Sequence, residues 1–324
     1  MKAPGFWYSR SVASQTASLA LSPFGALWSV GAALRAARGP GERAGLPVVC
    51  VGNIVAGGAG KTPVALSLAR RLPGAHFLSR GHGGVSEGPL RVDPAADDYR
   101  MVGDEPLLLA ATAPCWVARD RVAGAREAAR AGARCLIMDD GYQDPSLAKD
   151  ISLLVVDGHV GFGAGRCIPA GPLREPVDLA LSRAQAVVLL GEDRIGVRDR
   201  VGGVPVLGAR LEPEAEAATL KGEPVVAFAG IGRPAKFFHT LERLGAKLVE
   251  TRTFPDHHPY TPAEIGHLIE AAHGHAAALL TTTKDFVRVP PHLRDKVAVI
   301  RIAVTWDDEA ALSRLLAPAM GKPA

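Results

Sequence analysis

Cysteine is scarce in this 324-residue chain, and the four present (Cys50, Cys115, Cys135, Cys167) are widely spaced with no Cys-x-x-Cys pair. That spacing argues against a structural metal, and three of the four lie in or beside apolar runs. Buried free thiols in a reducing compartment are therefore expected. Net charge is sparse too, at +4, too mild and too dispersed to indicate a nucleic-acid partner. Internal repeats and low-complexity tracts are missing, so neither a repeat array nor a biased segment is expected. Apolar side chains are plentiful: 48% hydrophobic against 22% charged residues is the balance of a globular protein. A chain this long buries a sizeable core as one large α/β domain or two modest ones.

The most informative stretch is residues 48–63, Val-Val-Cys-Val-Gly-Asn-Ile-Val-Ala-Gly-Gly-Ala-Gly-Lys-Thr-Pro. A β-branched run feeds a glycine-rich turn that ends in Gly-Lys-Thr and opens into an apolar-periodic helix over 64–72. Glycines let backbone N–H groups turn toward phosphate oxygens. Lys61 supplies a point charge, and the Thr62 hydroxyl is placed to ligate Mg²⁺. Candidate nucleotide-binding residues are Gly57, Gly58, Ala59, Gly60, Lys61, Thr62 and Pro63. Val55 stands where the common phosphate loop has its first glycine, so Gly57-Gly58 must do the turning. The loop implies a nucleoside triphosphate, ATP or GTP, with Mg²⁺ as its companion, but says nothing of what receives the phosphate.

Downstream, strand-like runs at 75–78, 115–118, 134–138, 151–157 and 186–190 alternate with helical patterns at 107–111 and 119–131. This predicts an α/β fold: a P-loop NTPase-like, mostly parallel sheet flanked by helices, binding ligands at the carboxyl ends of its strands. Residues 191–222 read as a linker. Residues 223–324 repeat the strand–helix alternation as a smaller C-terminal α/β domain closing over the nucleotide site. The expected division is thus 1–45, 46–190, 191–222 and 223–324.

An apolar strand ending in acid completes a phosphate-loop site, and Asp139, followed by Asp140, fits that position. Mg²⁺ would be held by Thr62 and Asp139. Phosphoryl transfer to an alcohol also needs a group to accept the hydroxyl proton. Asp104 and Glu105 are candidates at a strand–helix junction, and Phe254-Pro255-Asp256-His257-His258-Pro259-Tyr260 offers histidines from the second unit. An Asp104–His257 pair could serve as general base if that unit folds over the loop. The same histidines could equally form a polar turn capping the next helix. Arg80, Arg119, Arg121, Arg174 and Lys284 sit on ligand-side loops, each readable as a phosphate contact or as a solvated charge.

Residues 11–34 carry no charge. Ser22-Pro23 reads as a helix N-cap followed by proline at the first helical position, which breaks any continuous span. Phe24, Leu27, Trp28, Gly31 and Leu34 then share one face, and Gly39-Pro40 ends the helix. Flanking aromatics and Arg35 and Arg38 suit a headgroup boundary, so the N-terminus is either an interfacial foot or a helical pair packed on the core.

Together these motifs resemble the tetraacyldisaccharide 4′-kinases, the lipid A 4′-kinase family. The resemblance runs over most of the chain. It rests on the phosphate loop, Ser79-Arg80-Gly81, Gly103-Asp104-Glu105-Pro106, Asp139-Asp140-Gly141-Tyr142-Gln143, Pro169-Ala170-Gly171-Pro172-Leu173-Arg174-Glu175-Pro176, Phe254-Pro255-Asp256-His257-His258 and Thr282-Thr283-Lys284-Asp285. The eight-residue string from Pro169 to Pro176 and the order of the whole set are its most specific parts. The family uses the Gly-Gly-x-Gly-Lys-Thr loop, which accounts for Val55.

The resemblance implies transfer of the ATP γ-phosphate to the 4′-hydroxyl of an acylated glucosamine disaccharide 1-phosphate, giving lipid IVA. The enzyme would be peripheral at the cytoplasmic face of a bacterial inner membrane, with no obligate protein partner evident. The resemblance also assigns Asp104 and His257 to proton acceptance, Lys61, Thr62, Asp139 and Asp140 to the nucleotide–Mg²⁺ side, and Arg174 and Glu175 to the vicinity of the chemistry. Two positions depart from the family pattern: His82-Gly83-Gly84 replaces Tyr-Gly-Arg, and Asp144 stands where histidine is frequent. The competing readings are a membrane-associated P-loop ATPase acting as a nucleotide switch and a soluble small-molecule kinase.

Overall fold

The computed structural model describes residues 4–9, 11–39, 41–214 and 219–320. Strand β1 (Val48–Gly52) is fully buried and lies mid-sheet, because its side chains alternate between two apolar layers. Val49 and Val51 pack into one layer with Val64 and Leu68. Val48 and Cys50 pack into the other with Leu136 and Met138. Burial on both faces is what a parallel sheet demands of its strands.

From β1 the chain works outward on one side through β2 (Ala75–Ser79), β3 (Leu90–Arg91) and β4 (Cys115–Val117). It returns as β5 (Cys135–Asp139) beside β1, then runs to the other side through β6 (Ile151–Asp157), β7 (Ala186–Leu190) and β8 (Val206–Pro213). The order of the nine-stranded sheet is β13-β8-β7-β6-β1-β5-β2-β4-β3, where β13 spans Ile302–Trp306. The interior pairings are parallel, while β13 and β3 close the two edges antiparallel. The strand order reverses at β1, so the crevice at its carboxyl end is the ligand position for such a sheet.

The second unit is a four-stranded sheet ordered β10-β9-β11-β12. Its strands are β9 (Pro224–Ala229), β10 (Lys247–Thr253), β11 (Ala278–Thr282) and β12 (Ala298–Ile300), with helices α8 (Pro234–Arg243) and α9 (Pro262–Gly274) between them. All of its pairings are parallel.

Two expected boundaries shift. Residues 191–222 are not only a linker, because they contain β8, a member of the large sheet. The C-terminal unit does not run to the chain end either: β13 and α11 (Glu309–Leu316) return to the first domain, where Trp306 and Leu312 are buried in its core. Alternation along the chain cannot reveal such a return, since edge pairing is a long-range choice.

At the N-terminus, α1 (Val12–Ala20) and α2 (Ser22–Ala36) meet at a 56° bend. Among the described residues no single helix is long and apolar enough to cross a membrane. The break falls where Ser22-Pro23 predicts it, but Leu21 holds the cap position, and the Ser22 hydroxyl donates instead to the Ser18 carbonyl. Pro40 lies outside the described residues. The pair has an inverted pattern. Its small residues Ser18, Gly25 and Ala32 are buried against the protein, while Leu19, Phe24, Leu27 and Leu34 are exposed. A Cβ on Gly25 would stand 2.9 Å from the Cys167 carbonyl oxygen, so close packing requires glycine there.

Candidate active site

The phosphate loop spans the gap between β1 and α3 (Lys61–Ala69). Gly60 carries the loop into the helix at φ +83°, and a Cβ there would lie 2.5 Å from Leu190 Cδ1. Lys61 opens the helix and points back at the strand end. Its Nζ donates to Asn53 Oδ1 at 3.2 Å and lies 3.6 Å from Asp140 Oδ1. The register of β1 on β5 places Asp139 directly beside Val51. From there Asp139 Oδ2 accepts the Thr62 hydroxyl at 3.0 Å.

Asp139 is 2% exposed, and its Oδ1 has no partner. Burial first, then the Glu105 and Asp140 charges, push its carboxyl up to about 7 against the pull of Lys61 and the Thr62 hydrogen bond. Such a group calls for a cation. Magnesium takes hard oxygen ligands, a carboxylate or two together with phosphate oxygens and water. A hydroxyl and a buried orphan carboxylate oxygen beside the loop fit that demand.

Asp140 occupies the left-handed region at φ +56°, held by its N–H to the Val51 carbonyl at 3.0 Å. Burial pushes its carboxyl up, but Lys61 and Arg174 outweigh this and hold it below the usual range. Arg174 Nη1 donates to both Asp140 oxygens, at 3.0 and 3.2 Å.

The pair Asp104 and His257 is assembled from both domains. Asp104 begins α5 (Asp104–Ala110) and is 4% exposed. Its Oδ2 lies 2.9 Å from His257 Nδ1, and His257 stands at φ +58° with its N–H bonded to the Gly230 carbonyl at 3.1 Å. Burial pushes the Asp104 carboxyl up, but the His257 hydrogen bond and the Lys284, His257 and Arg288 charges bring it below its ordinary value. The two readings of the His-His pair divide between the residues. His257 enters the site, whereas His258 bonds Glu264 at 3.0 Å and stacks on Phe254 in the turn before α9.

Other candidates take different places. Glu175 is buried, accepting from Gln143 at 2.9 Å and Arg183 at 2.5 Å, so it braces the Asp139–Gln143 turn. Arg80 is exposed, and Arg119 pairs with Glu87 at 2.8 Å. Arg121 is buried, with Nε in an ion pair 3.7 Å from Asp144 and neither Nε nor Nη1 hydrogen-bonded, so it is neither solvated nor on an open loop. Asp144, one of the departures from the family pattern, is thereby placed opposite Arg121. The other departure, His82, sets its ring edge-on to His257 at 6.3 Å.

Three residues of the site were not singled out as candidates. Asn53 holds Lys61, and Gln143 ties the Asn53 carbonyl to Glu175. Arg233, from the second domain, donates to the Gly58 carbonyl at 3.2 Å and to Asp157 at 3.1 Å. Asn53 and Gln143 lie inside motifs already quoted, so a signal existed for them. Arg233 had none.

A phosphate loop on a reversing parallel sheet, with an acid at the next strand end and an acid–base pair facing it, defines the class of P-loop phosphotransferases. The model of the family described as Tetraacyldisaccharide-1-P 4'-kinase matches residues 17–320, and the chain belongs to that family. The Tetraacyldisaccharide 4'-kinase of Rhodospirillum centenum is 55% identical over 325 residues, covering 98% of this chain and 96% of that protein. Its counterpart in Rhodospirillum rubrum is 52% identical, with 98% and 97% covered. Among solved structures, the "apo" form LpxK from Aquifex aeolicus in complex with ATP matches with a TM-score of 0.78 at 27% identity. The match covers 94% of this chain and 99% of that one.

Proposed function

We propose that the protein transfers the γ-phosphoryl group of ATP to the 4′-hydroxyl of an acylated glucosamine disaccharide 1-phosphate, yielding lipid IVA. The family supports this reading. The observation that carries it is the Asp104–His257 pair at 2.9 Å, contributed by two domains. Glu105 follows Asp104 at the start of α5, and its charge is felt at Asp139, which supports a position of this pair near the phosphate loop. A nucleotide switch has no use for such a pair; a kinase with an alcohol acceptor does.

In the reaction the loop N–H groups and Lys61 hold the donor phosphates. Thr62 and Asp139 would hold Mg²⁺, which when bound spreads the charge of the phosphates. The Asp104–His257 pair takes the hydroxyl proton as the acceptor oxygen bonds to phosphorus and the β–γ bridging P–O bond breaks. Arg174 keeps Asp140 ionised and fixed beside Lys61.

The membrane part of the reading rests on α1 and α2. Large apolar side chains turned outward over small ones turned inward are the reverse of a soluble helix. Burying each exposed Leu or Phe in lipid is worth about 1.5–3 kcal/mol. An acylated acceptor suits a peripheral enzyme at the cytoplasmic face of the inner membrane. Incubation with radiolabelled ATP and the acylated disaccharide 1-phosphate tests the activity: labelled lipid is expected, and ATP hydrolysis without it would overturn the kinase reading.

A further inference from the structure

The second domain reaches the phosphate loop itself through an arginine that lies outside every nucleotide motif in the chain. Arg233 precedes α8, and its Nη2 donates to the Gly58 carbonyl at 3.2 Å and to Asp157 Oδ2 at 3.1 Å. Asp157 ends β6, the strand beside β1, and is buried. Its Oδ1 accepts the His159 N–H at 2.9 Å and lies 3.6 Å from His159 Nδ1, while Lys236 Nζ stands 3.9 Å from Oδ2. The large sheet thus fixes the carboxylate, and Arg233 is held between that carboxylate and the loop.

The Gly58–Ala59 peptide is trans, so its carbonyl and its N–H point in opposite directions. A donor that holds the carbonyl on one side therefore fixes the N–H on the other. Among the described residues the N–H groups of Gly57, Gly58, Ala59 and Gly60 make no backbone hydrogen bond. A Cβ at Gly57 or Gly58 would meet nothing within 4 Å. Packing does not hold the loop at these two glycines, and glycine has the most backbone freedom to lose, so the loop needs a brace from outside. We infer that Arg233 is a positioning residue of the phosphate loop: braced by Asp157, it holds the Gly58 carbonyl so that the Ala59 N–H is presented to the nucleotide phosphates. Arginine suits this task because one guanidinium nitrogen carries two N–H groups, here divided between a carboxylate and a carbonyl. The second domain thereby completes the grip on the nucleotide.

This rests on ATP binding at the loop and not on which alcohol receives the phosphate, so the readouts are nucleotide affinity and loop order. In the full-length protein, Arg233→Ala should raise the calorimetric Kd for ATP with Mg²⁺ about 10-fold, the weight of one hydrogen bond to a charged group. The KM for the lipid acceptor should stay unchanged. Asp157→Ala should raise Kd by a similar factor and the double variant no further, because the two residues act in series. Loop order is read by ¹⁵N relaxation of alanine-labelled protein without nucleotide, with Ala59 assigned by difference against Ala59→Gly. Its order parameter should fall from about 0.85 in wild type toward about 0.6 in Arg233→Ala. That measurement keeps the inference testable if Asp157→Ala does not fold. An unchanged Kd in Arg233→Ala overturns it. So does a raised Kd with Ala59 as ordered as in wild type, which would make Arg233 a phosphate ligand instead. A protein that binds ATP as expected yet forms no phosphorylated lipid would count against the kinase reading alone.

Discussion

Asp104 and His257 come from different domains, yet they meet at hydrogen-bond distance with Asp104 almost sealed from water. Replacing either by alanine should lower kcat on the order of 10²–10⁴-fold, the usual reach of general base catalysis. Because they act as a unit, the double variant should lose far less than the product of the two losses, and full multiplicativity in steady-state kinetics would show separate roles. Asp139 makes the opposite trade. Its carboxyl is raised by burial, so the folded protein holds a proton that the unfolded chain releases. The ligand-free protein should therefore lose stability as pH rises from the ordinary carboxylate range toward 7, and level off above it. Asp139→Asn should abolish phosphotransfer yet stabilise the ligand-free fold at pH 8 by roughly 1–3 kcal/mol, because the amide removes a buried negative charge that Glu105 and Asp140 repel. Thermal melts of both proteins at two pH values check this, and a destabilised variant would contradict it.

At the scale of elements, α1 and α2 present two unlike faces, one buried against the protein and one apolar and exposed. The inward face is built into the site's scaffold. The Ser18 hydroxyl donates to the Ala170 carbonyl at 2.6 Å and Trp28 Nε1 to the Arg174 carbonyl at 2.8 Å, while Trp7, in the 3-10 turn Gly5–Trp7 before α1, donates from Nε1 to the Pro169 carbonyl at 3.0 Å. Deleting the segment would uncover that scaffold, so loss of activity on deletion would say little about lipid. Changing Phe24, Leu27 and Leu34 to serine touches only the outward face. The triple variant should keep its melting temperature and lose affinity for anionic lipid vesicles by at least about 100-fold, since each side chain contributes about 1.5–3 kcal/mol of burial. Co-sedimentation equal to wild type would remove the membrane reading. A second element-scale feature is Gly103, which precedes α5 at φ +89° with the His82 carbonyl oxygen 2.5 Å from where a Cβ would sit. The turn bearing His82 is thereby pressed against the start of the helix that carries Asp104.

For the whole molecule, contacts bridge the two domains over the phosphate loop: Asp104 to His257, Glu105 to Lys284, and Arg233 to Gly58 and Asp157. Arg233 is half exposed while its partner Asp157 is buried, and Lys236 and His159 lie within 4 Å of that carboxylate as well, so removing Arg233 does not strip Asp157 of every partner. Its contribution is to closure. Arg233→Ala should lower the melting temperature by no more than about 2–4 °C, the shift that about 1 kcal/mol produces, while amide exchange over residues 56–60 becomes faster. Unchanged exchange would show that the other bridges suffice.

Local chemistry made the donor half of the site legible. Glycines, Lys61, Thr62 and Asp139 are close in pattern because a strand, a turn and a helix N-terminus suffice to build a phosphate cradle, and each leaves its signature in consecutive residues. The amino-acid sequence by itself also determined the parallel sheet, the break at residues 21–23 and the two-domain plan. Only the tertiary structure decided that β8 and β13 belong to the large sheet, that Arg121 is buried, that His257 and not His258 faces Asp104, and that Lys284 and Arg233 close over the loop. The reason is physical. Edge pairing of β13 on β8 joins residues as far apart in sequence as Trp306 and Ala209, and domain closure joins Asp104 to His257, 153 positions away, and no local propensity encodes which of two adjacent histidines a left-handed backbone at His257 will turn into the cleft.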